Sequence, residues 1–160
     1  MTVEHFRTRP LTLKPGAGPT LSFLDVNLAY KITSHDTAGR WSLLEYIMPS
    51  KYTSLPLHFH KTIHEVVYVL AGLVTFRLGD EVFMAEADSL VYVPKGMLHT
   101  FSNDQDKPAR FLMFNTPSGF EDYFKELAAM VQSDPNLKLD DKSKLHDLYE
   151  KYDIHFPAEE

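Results

Sequence analysis

Three histidines and one glutamate, spread over two short segments, constrain this chain more than any other feature of its sequence. His58 and His60 alternate with Phe59, Glu65 follows five residues later, and His99 stands in a second segment. Side chains two residues apart on a strand point to the same face, so His58 and His60 share a face that Phe59 does not. An antiparallel return brings Glu65 back beside the pair. A barrel interior then collects all four groups around one divalent ion.

Composition limits the kinds of ligand and partner. The chain has 160 residues, of which 44% are hydrophobic and 24% charged, values that suit one soluble domain with its own core. Its net charge of −6 argues against nucleic acid and against an anionic membrane surface as partners. Because there is no cysteine, nitrogen and oxygen atoms must hold any metal. Neither a signal peptide nor a bilayer-spanning apolar run is evident, so a soluble cytoplasmic protein is expected.

Short strands separated by turns fill residues 21–116. Strands are predicted at 27–34, 40–48, 66–78, 81–85, 90–93 and 110–115. Residues 35–39 and the Gly79-Asp80 pair are the predicted hairpin turns. Residues 1–20, rich in Pro, Gly and Thr, indicate an extended arm. Many short strands at this spacing are typical of a sandwich or a barrel.

The pattern becomes helical over residues 118–156. Ser118 and Glu121 have the spacing of a capping box, and apolar residues recur at helical intervals up to Val131. A second apolar stripe runs from Leu145 to Tyr152. We expect both helices to pack on the barrel, with a lid over its mouth as the alternative. The whole chain, 1–160, is predicted to be a single domain.

The candidate ligands belong to a pattern of eight fixed positions. In H-x-H-x4-E-x6-G these are His58, His60, Glu65 and Gly72. In P-x-G-x2-H-x3-N they are Pro94, Gly96, His99 and Asn103. The two segments resemble the paired motifs of the cupin superfamily. Each cupin motif usually opens with glycine, where this chain has Tyr52 and Asp88, and this leaves the backbone geometry there open.

The resemblance implies an all-β fold: a cupin jelly-roll antiparallel β-barrel, here with two C-terminal α-helices packed on it. It also implies a metal site of His58, His60, Glu65 and His99 for one divalent transition metal, namely iron, manganese, nickel, copper or zinc. The layout of one barrel followed by two helices is similar to the quercetin dioxygenase-like bacterial cupins. A homodimer is expected from the resemblance and from the need to protect barrel edges.

The leading functional hypothesis is a metal-dependent dioxygenase acting on a small hydroxylated aromatic (flavonol-like) or enolic compound. Glu65 is the candidate catalytic base, a ligand, or both, and dioxygen is the expected co-substrate. The candidate pocket residues are Tyr46, Phe76, Tyr92, Phe101, Phe111 and Met113, although small barrels also fill their interiors with such side chains.

Two other functions remain open. One is a metal-dependent isomerase or decarboxylase of a small acid or sugar, which would need an arginine or lysine in a more polar pocket. The other is a non-catalytic cupin that binds a small molecule.

Overall fold

Ten strands and three helices make up the part of the chain that the computed structural model describes, Arg7 and residues 9–158. The strands are β1 Thr20–Phe23, β2 Val26–Ile32, β3 Ser42–Met48, β4 Tyr52–Thr53, β5 His64–Ala71, β6 Leu73–Leu78, β7 Glu81–Glu86, β8 Leu90–Val93, β9 His99–Asn103 and β10 Ala109–Thr116. The helices are α1 Ser34–Thr37, α2 Phe120–Ser133 and α3 Lys142–Lys151.

The strands form two antiparallel sheets with alternately buried residues. The six-stranded sheet has the order β1-β2-β3-β10-β5-β8, and the four-stranded sheet has the order β4-β9-β6-β7. Neighbouring segments such as β5 and β6 belong to different sheets, so the sheets face each other around a common core. This is a jelly-roll barrel with C-terminal helices, as the sequence predicted.

Gly72 is the point where the chain crosses from one sheet to the other. The sequence predicted one strand over 66–78, and the structure corrects this to β5 and β6, separated by Gly72 with φ of +83°. A Cβ atom at this position would lie 2.8 Å from the Ala109 Cα atom and 2.9 Å from the Pro108 carbonyl oxygen. Only glycine fits both the backbone conformation and the space.

Two predicted turns have the expected positions. Strands β6 and β7 pair across Gly79-Asp80, with Phe76 opposite Phe83 and their rings 5.8 Å apart. The turn between β2 and β3 contains the one-turn helix α1. At the second departure from the cupin pattern, Asp88 has φ of +70°. The aspartate therefore takes the left-handed conformation that a glycine would adopt more easily.

Both C-terminal helices pack their apolar faces inward. Helix α2 buries Phe120, Tyr123, Phe124 and Leu127 and packs against β1 and β3. Its Phe124 ring stacks on Phe23 at 5.7 Å. Helix α3 buries a shorter stripe that continues the same core. The predicted helices are therefore present at the predicted places.

Half of the predicted capping box at the start of α2 is confirmed: Glu121 reaches back as expected, but Ser118 is not the N-cap. The N-cap residue is Gly119, and the Ser118 hydroxyl is buried without a hydrogen-bond partner. The Glu121 carboxylate accepts from the backbone N–H of Gly119 at 2.7 Å and of Ser34 at 2.6 Å. Glu121 thus joins α2 to the start of α1, a contact between distant parts of the chain that local spacing cannot reveal.

The predicted N-terminal arm falls partly outside the described residues, which exclude 1–6 and 8. Residues 9–19 contain no strand, and the first strand begins at Thr20. Among the described residues, no helix has both the length and the apolar character needed to cross a bilayer.

Candidate metal centre

Three buried histidines converge inside the barrel. The metal-ligating atoms of His58, His60 and His99 all lie within 4.8 Å of one another. The backbone positions them: His99 N–H donates to the His58 carbonyl at 2.8 Å, and His58 N–H donates back at 3.1 Å. His58 and His60 point to the same face of their segment. The backbone bridge between His58 and His99 therefore brings together three imidazoles that could hold one metal ion.

Each imidazole is fixed by a hydrogen bond on the far side of its ring. At 2.8 Å in every case, the Nδ1 acceptors are the carbonyl oxygens of Pro56 for His58, Asp153 for His60 and Met97 for His99. A carbonyl can only accept, so Nδ1 must carry the proton and Nε2 of the neutral ring keeps a free lone pair. This is how proteins orient histidines that ligate metals.

Glu65 completes the cluster from β5. Its carboxylate is 4% exposed, and its Oε2 atom lies 2.7 Å from His99 Nε2 and 3.6 Å from His60 Nε2. His60 Nε2 is buried without a hydrogen-bond partner. When both rings are neutral, the Nε2 atoms of His60 and His99 carry lone pairs and no proton lies between them and the Glu65 carboxylate. A cation between these atoms fits this arrangement. The donor set of nitrogen and oxygen suits a divalent transition metal.

The electrostatics of the cluster favour a neutral His58 and an ionised Glu65, whereas the pKa of His60 is shifted toward its protonated form. Burial lowers the pKa of His58 well below its usual value, and the neighbouring imidazoles of His99 and His60 add to this. Burial alone would raise the pKa of Glu65, but the facing His99 and His60 rings bring it well below its usual value. Burial would also lower the pKa of His60, yet its contacts with Glu65 raise it. A neutral His58 and an ionised Glu65 are ready to ligate.

The cluster borders a largely apolar cavity between the barrel and α2. The cavity and its mouth contain about 370 Å³ free of protein atoms, of which about 20 Å³ admits the centre of a water molecule. The lining residues are Phe23, Tyr46, Tyr52, Ser54, Leu55, His58, Glu65, His99, Phe101, Met113, Phe120, Tyr123, Phe124, Leu127 and Leu139. Helix α2 therefore packs on the barrel and also covers its mouth.

The six side chains expected in the substrate pocket divide into three groups. Tyr46, Phe101 and Met113 line the cavity. Phe76 and Phe111 are buried in the barrel core but do not line the cavity. The expectation for Tyr92 is corrected, because its side chain is 52% exposed and its ring stacks on His64 outside the barrel. Strand β8 points its alternate residues Val91 and Val93 inward, so Tyr92 must point outward.

Two further tyrosines line the cavity and are not among the site residues predicted from the sequence. The hydroxyls of Tyr52 and Tyr123 are buried without a hydrogen-bond partner. Tyr46 lies beside them, and burial raises its pKa well above the usual value, with nearby Tyr52 adding to the effect. No lysine or arginine within residues 9–158 lines this cavity. The apolar stripe of α2 predicts that Tyr123 is buried, but it does not show that the Tyr123 side chain faces the histidines.

A C-terminal contact with the metal centre was also missed. The Asp153 carboxylate accepts from the backbone N–H of Lys61 at 3.1 Å and of Thr62 at 2.8 Å. Burial would raise the pKa of Asp153, but these hydrogen bonds and the one from Thr62 Oγ1 lower it to about 2. The turn that follows His60 is therefore held by an ionised side chain far along the chain.

A buried polar row extends from Glu65 across the larger sheet. Glu65 pairs with Asn115 of β10, and Asn115 pairs with Ser42 of β3. The Asn115 amide and the Ser42 hydroxyl are fully buried without hydrogen-bond partners in the protein. Buried polar groups of this kind normally bind ordered water.

The central part of the chain matches a known family model. Residues 44–115 match the model of the family described as "Cupin domain" (Cupin_2). The protein thus has a cupin jelly-roll barrel, extended by two C-terminal helices, with three buried histidines that could hold a metal.

Known proteins support the fold. The chain is similar to the polyketide cyclase RemF from Streptomyces resistomycificus, at 21% identity and a TM-score of 0.60, over 69% of this chain and 81% of that one. It is also similar to the Cnp3 cupin domain of Schizosaccharomyces pombe, at 14% identity and a TM-score of 0.58, over 74% and 82%. A "predicted oxalate decarboxylase" from Thermotoga maritima matches at 18% identity and a TM-score of 0.54, over 57% and 80%. At such identities the likeness shows the fold alone.

One curated protein has local sequence similarity. The "uncharacterized HTH-type transcriptional regulator YdiP" of Escherichia coli K12 is 33% identical over 52 residues. These residues are 32% of this chain but 17% of the regulator, so the chain spans about a sixth of that relative's length.

Proposed function

We propose that this chain is a metal-dependent dioxygenase acting on a small enolic or hydroxylated compound, as its resemblance to quercetin dioxygenase-like cupins suggests. The observation that carries the proposal is the composition of the cavity. Buried imidazoles and Glu65 lie at one side, and phenol and phenyl rings form most of the remaining wall. Such a wall suits a planar, oxygenated substrate without a strong charge.

His58, His60, Glu65 and His99 would hold the ion in this proposal. Their Nε2 and carboxylate atoms are buried and face one another, and the opposite side of each ring is already hydrogen-bonded. Iron, manganese, nickel, copper and zinc all accept such ligands. When bound, the ion supplies Lewis acidity, which polarises a substrate oxygen and lowers the pKa of a substrate hydroxyl.

Glu65 is the proposed base for that hydroxyl. It lies in the wall of the cavity and is held ionised by the facing imidazoles. An ionised carboxylate accepts the proton that the acidified hydroxyl loses. The enolate formed from the substrate is electron-rich and reacts with dioxygen, and both oxygen atoms enter the products. The apolar side chains of α2 in the cavity wall would limit the access of bulk water to this step.

The tyrosines would recognise the substrate oxygens. The buried hydroxyls of Tyr52 and Tyr123 interact with the neighbouring hydroxyls of Tyr46 and Tyr149 but make no hydrogen bond of good geometry, so a substrate carbonyl or enolate oxygen can accept from them. An isomerase or decarboxylase of small acids or sugars would need a cationic side chain to grip its substrate. Within residues 9–158, the lining of this cavity has none, which supports the dioxygenase over that alternative.

The cavity size favours a compact substrate. Drug-sized ligands occupy pockets of roughly 300–1,000 Å³. Only about 20 Å³ of the space here admits the centre of a water molecule, far below that range, so a substrate must displace part of the cavity wall. A small β-diketone-like enol therefore fits with less displacement of α2 than a three-ring flavonol does.

The test is anaerobic reconstitution with each of the five metals, followed by oxygen-uptake screening against β-diketones, catechols and flavonols. Glu65→Gln should abolish uptake while the protein stays folded, because it removes the proposed base. Glu86→Gln, the same change at an exposed residue of β7, is the matched control and should keep full activity. Wild-type turnover by Glu65→Gln with metal retained would show that Glu65 is not the base.

The same experiment separates the other two functions. Conversion of a sugar or acid without oxygen, with no uptake on any enol, would identify an isomerase or decarboxylase. The local similarity to a transcriptional regulator favours a second candidate, a cupin that binds a small molecule without converting it. Calorimetric binding without any product by mass spectrometry would support that candidate instead.

A cytoplasmic homodimer is the proposed assembly and setting. Strands β7 and β8 lie at the edges of the two sheets, and their exposed apolar residues include Val82, Met84 and Leu90. Unpaired edges with apolar side chains are suited to pairing with a second copy. Sedimentation should give a dimer that Met84→Lys converts to monomer, whereas a monomeric wild type would refute the assembly. Cell fractionation tests the cytoplasmic setting.

A further inference from the structure

The segment Asp153–His155, which follows α3, forms a β-bridge with the extended segment that carries two of the candidate ligands. Phe59 N–H donates to the His155 carbonyl at 2.8 Å, and His155 N–H donates to the Phe59 carbonyl at 3.0 Å. Phe59 lies between His58 and His60, so the C-terminal segment runs directly beside them. The side chains of His58 and His60 therefore project from an extended segment that pairs with residues near the end of the described chain.

Asp153 accepts hydrogen bonds from this segment through both its backbone and its side chain. Its carbonyl oxygen accepts the His60 Nδ1–H at 2.8 Å. Its carboxylate accepts from the backbone N–H groups of Lys61 and Thr62, and also from Thr62 Oγ1 at 2.6 Å. One residue thus orients the His60 ring and fixes the two residues that follow it.

The carboxylate also fixes the direction of the Asp153 carbonyl. Asp153 has φ of +58°, a left-handed conformation that few residues other than glycine, asparagine and aspartate adopt readily. His155 Nε2 lies 2.9 Å from the same carboxylate and adds a third residue that holds it in place. With the side chain held by three residues, the carbonyl cannot turn away from His60 without breaking several hydrogen bonds.

We infer that Asp153 is a positioning residue of the metal site, and that metal binding by His60 is coupled to docking of the segment Asp153–His155. The inference rests on the proposed metal site. A ring held at Nδ1 presents Nε2 to the ion without further ordering. By thermodynamic reciprocity, an ion bound at His60 stabilises the docked segment as much as the segment favours the ion.

Two variants of Asp153 separate the roles of its parts. Asp153→Gly keeps the left-handed backbone and the carbonyl but removes the carboxylate. Without the carboxylate the carbonyl is no longer held against His60 Nδ1, and zinc or cobalt binding should weaken by about 10- to 100-fold, as when an outer hydrogen-bond partner is lost. Asp153→Asn keeps an acceptor oxygen and the conformation, so it should retain most of the affinity. Calorimetry gives the affinity, and the visible spectrum of bound Co²⁺ reports a lost or displaced imidazole.

Asp88→Gly is the matched control. Asp88 also has positive φ, +70°, and its carboxylate accepts a hydrogen bond from Tyr68 on the exposed side of β5. The same substitution there should leave both affinity and spectrum unchanged. If Asp153→Gly, folded by circular dichroism, binds within twofold of the wild type with the same Co²⁺ spectrum, the inference is overturned.

Hydrogen exchange on the unaltered protein tests the coupling without any substitution. Zinc should slow exchange of the His155 amide, which donates to Phe59 and touches no candidate ligand. Unchanged exchange in peptides covering 150–158 would contradict the coupling. A wild-type protein that binds no ion would instead refute the metal site itself, so the two failures are distinguishable.

Discussion

Gly72→Ala tests whether the crossing between the two sheets requires glycine. With φ of +83°, alanine in this left-handed conformation costs about 1–2 kcal/mol. Its Cβ would also lie 2.8 Å from Ala109 Cα and 2.9 Å from the Pro108 oxygen. These are backbone atoms that cannot swing aside, and overpacking of this kind costs about 1–3 kcal/mol. The free energy of unfolding should therefore fall by about 2–5 kcal/mol.

Gly39→Ala isolates the steric part of this loss. Gly39 has φ of +78°, but no atom lies within 4 Å of the Cβ position there. It should lose only the conformational cost, about 1–2 kcal/mol. Urea denaturation of both variants with a chelator present, so that metal binding does not contribute, gives the difference. Equal losses for the two variants would refute the claim that Ala109 and Pro108 exclude a side chain at the crossing.

Three further predictions concern the site and the core. His99→Ala should lose bound metal after dialysis, measured by elemental analysis, whereas His64→Ala should keep it because the His64 ring lies outside the cavity. Phe111→Ala should cost about 3–5 kcal/mol in urea denaturation, because the ring is fully buried, and Phe83→Ala should cost clearly less because its side chain is 36% exposed. Tyr123→Phe should change stability by less than about 1 kcal/mol, because its buried hydroxyl makes no hydrogen bond of good geometry and interacts only with the neighbouring Tyr149 hydroxyl. A clear drop in stability would reveal a hydrogen bond to that hydroxyl.

Local rules predicted the shared face of His58 and His60 and one hairpin, whereas the jelly-roll fold and the meeting of this pair with His99 and Glu65 were implied by the resemblance to the cupin motifs. Alternation along a strand places His58 and His60 on one face, and the hairpin turn at Gly79-Asp80 sets the register of its two strands. These signals require only neighbouring residues. The split at Gly72 was missed because the apolar run on either side of it continues without interruption.

The pocket residues were harder to predict because the direction of each side chain depends on whether its position in the strand is an inward or an outward one. Tyr92 is aromatic and lies on a strand, yet its neighbours Val91 and Val93 take the inward positions. Tyr123 is found by its helical stripe, but its place over the ligands depends on how α2 docks. Asp153 and His60 are 93 residues apart, and no periodicity connects them.

Substrate access links the cover of the cavity to the ligands beneath it. The space beside the histidines admits about one water molecule, so entry of the proposed substrate requires movement of the cavity wall, of which α2 forms a large part. Helix α2 is joined to the end of α3, since Glu126 accepts from Lys151 Nζ and from the Tyr152 hydroxyl, both at 2.6 Å. The next residue, Asp153, holds the His60 ring. We therefore expect a movement of α2 that breaks the Glu126 contacts to disturb the segment that orients His60, which would couple opening of the cavity to the proposed metal site.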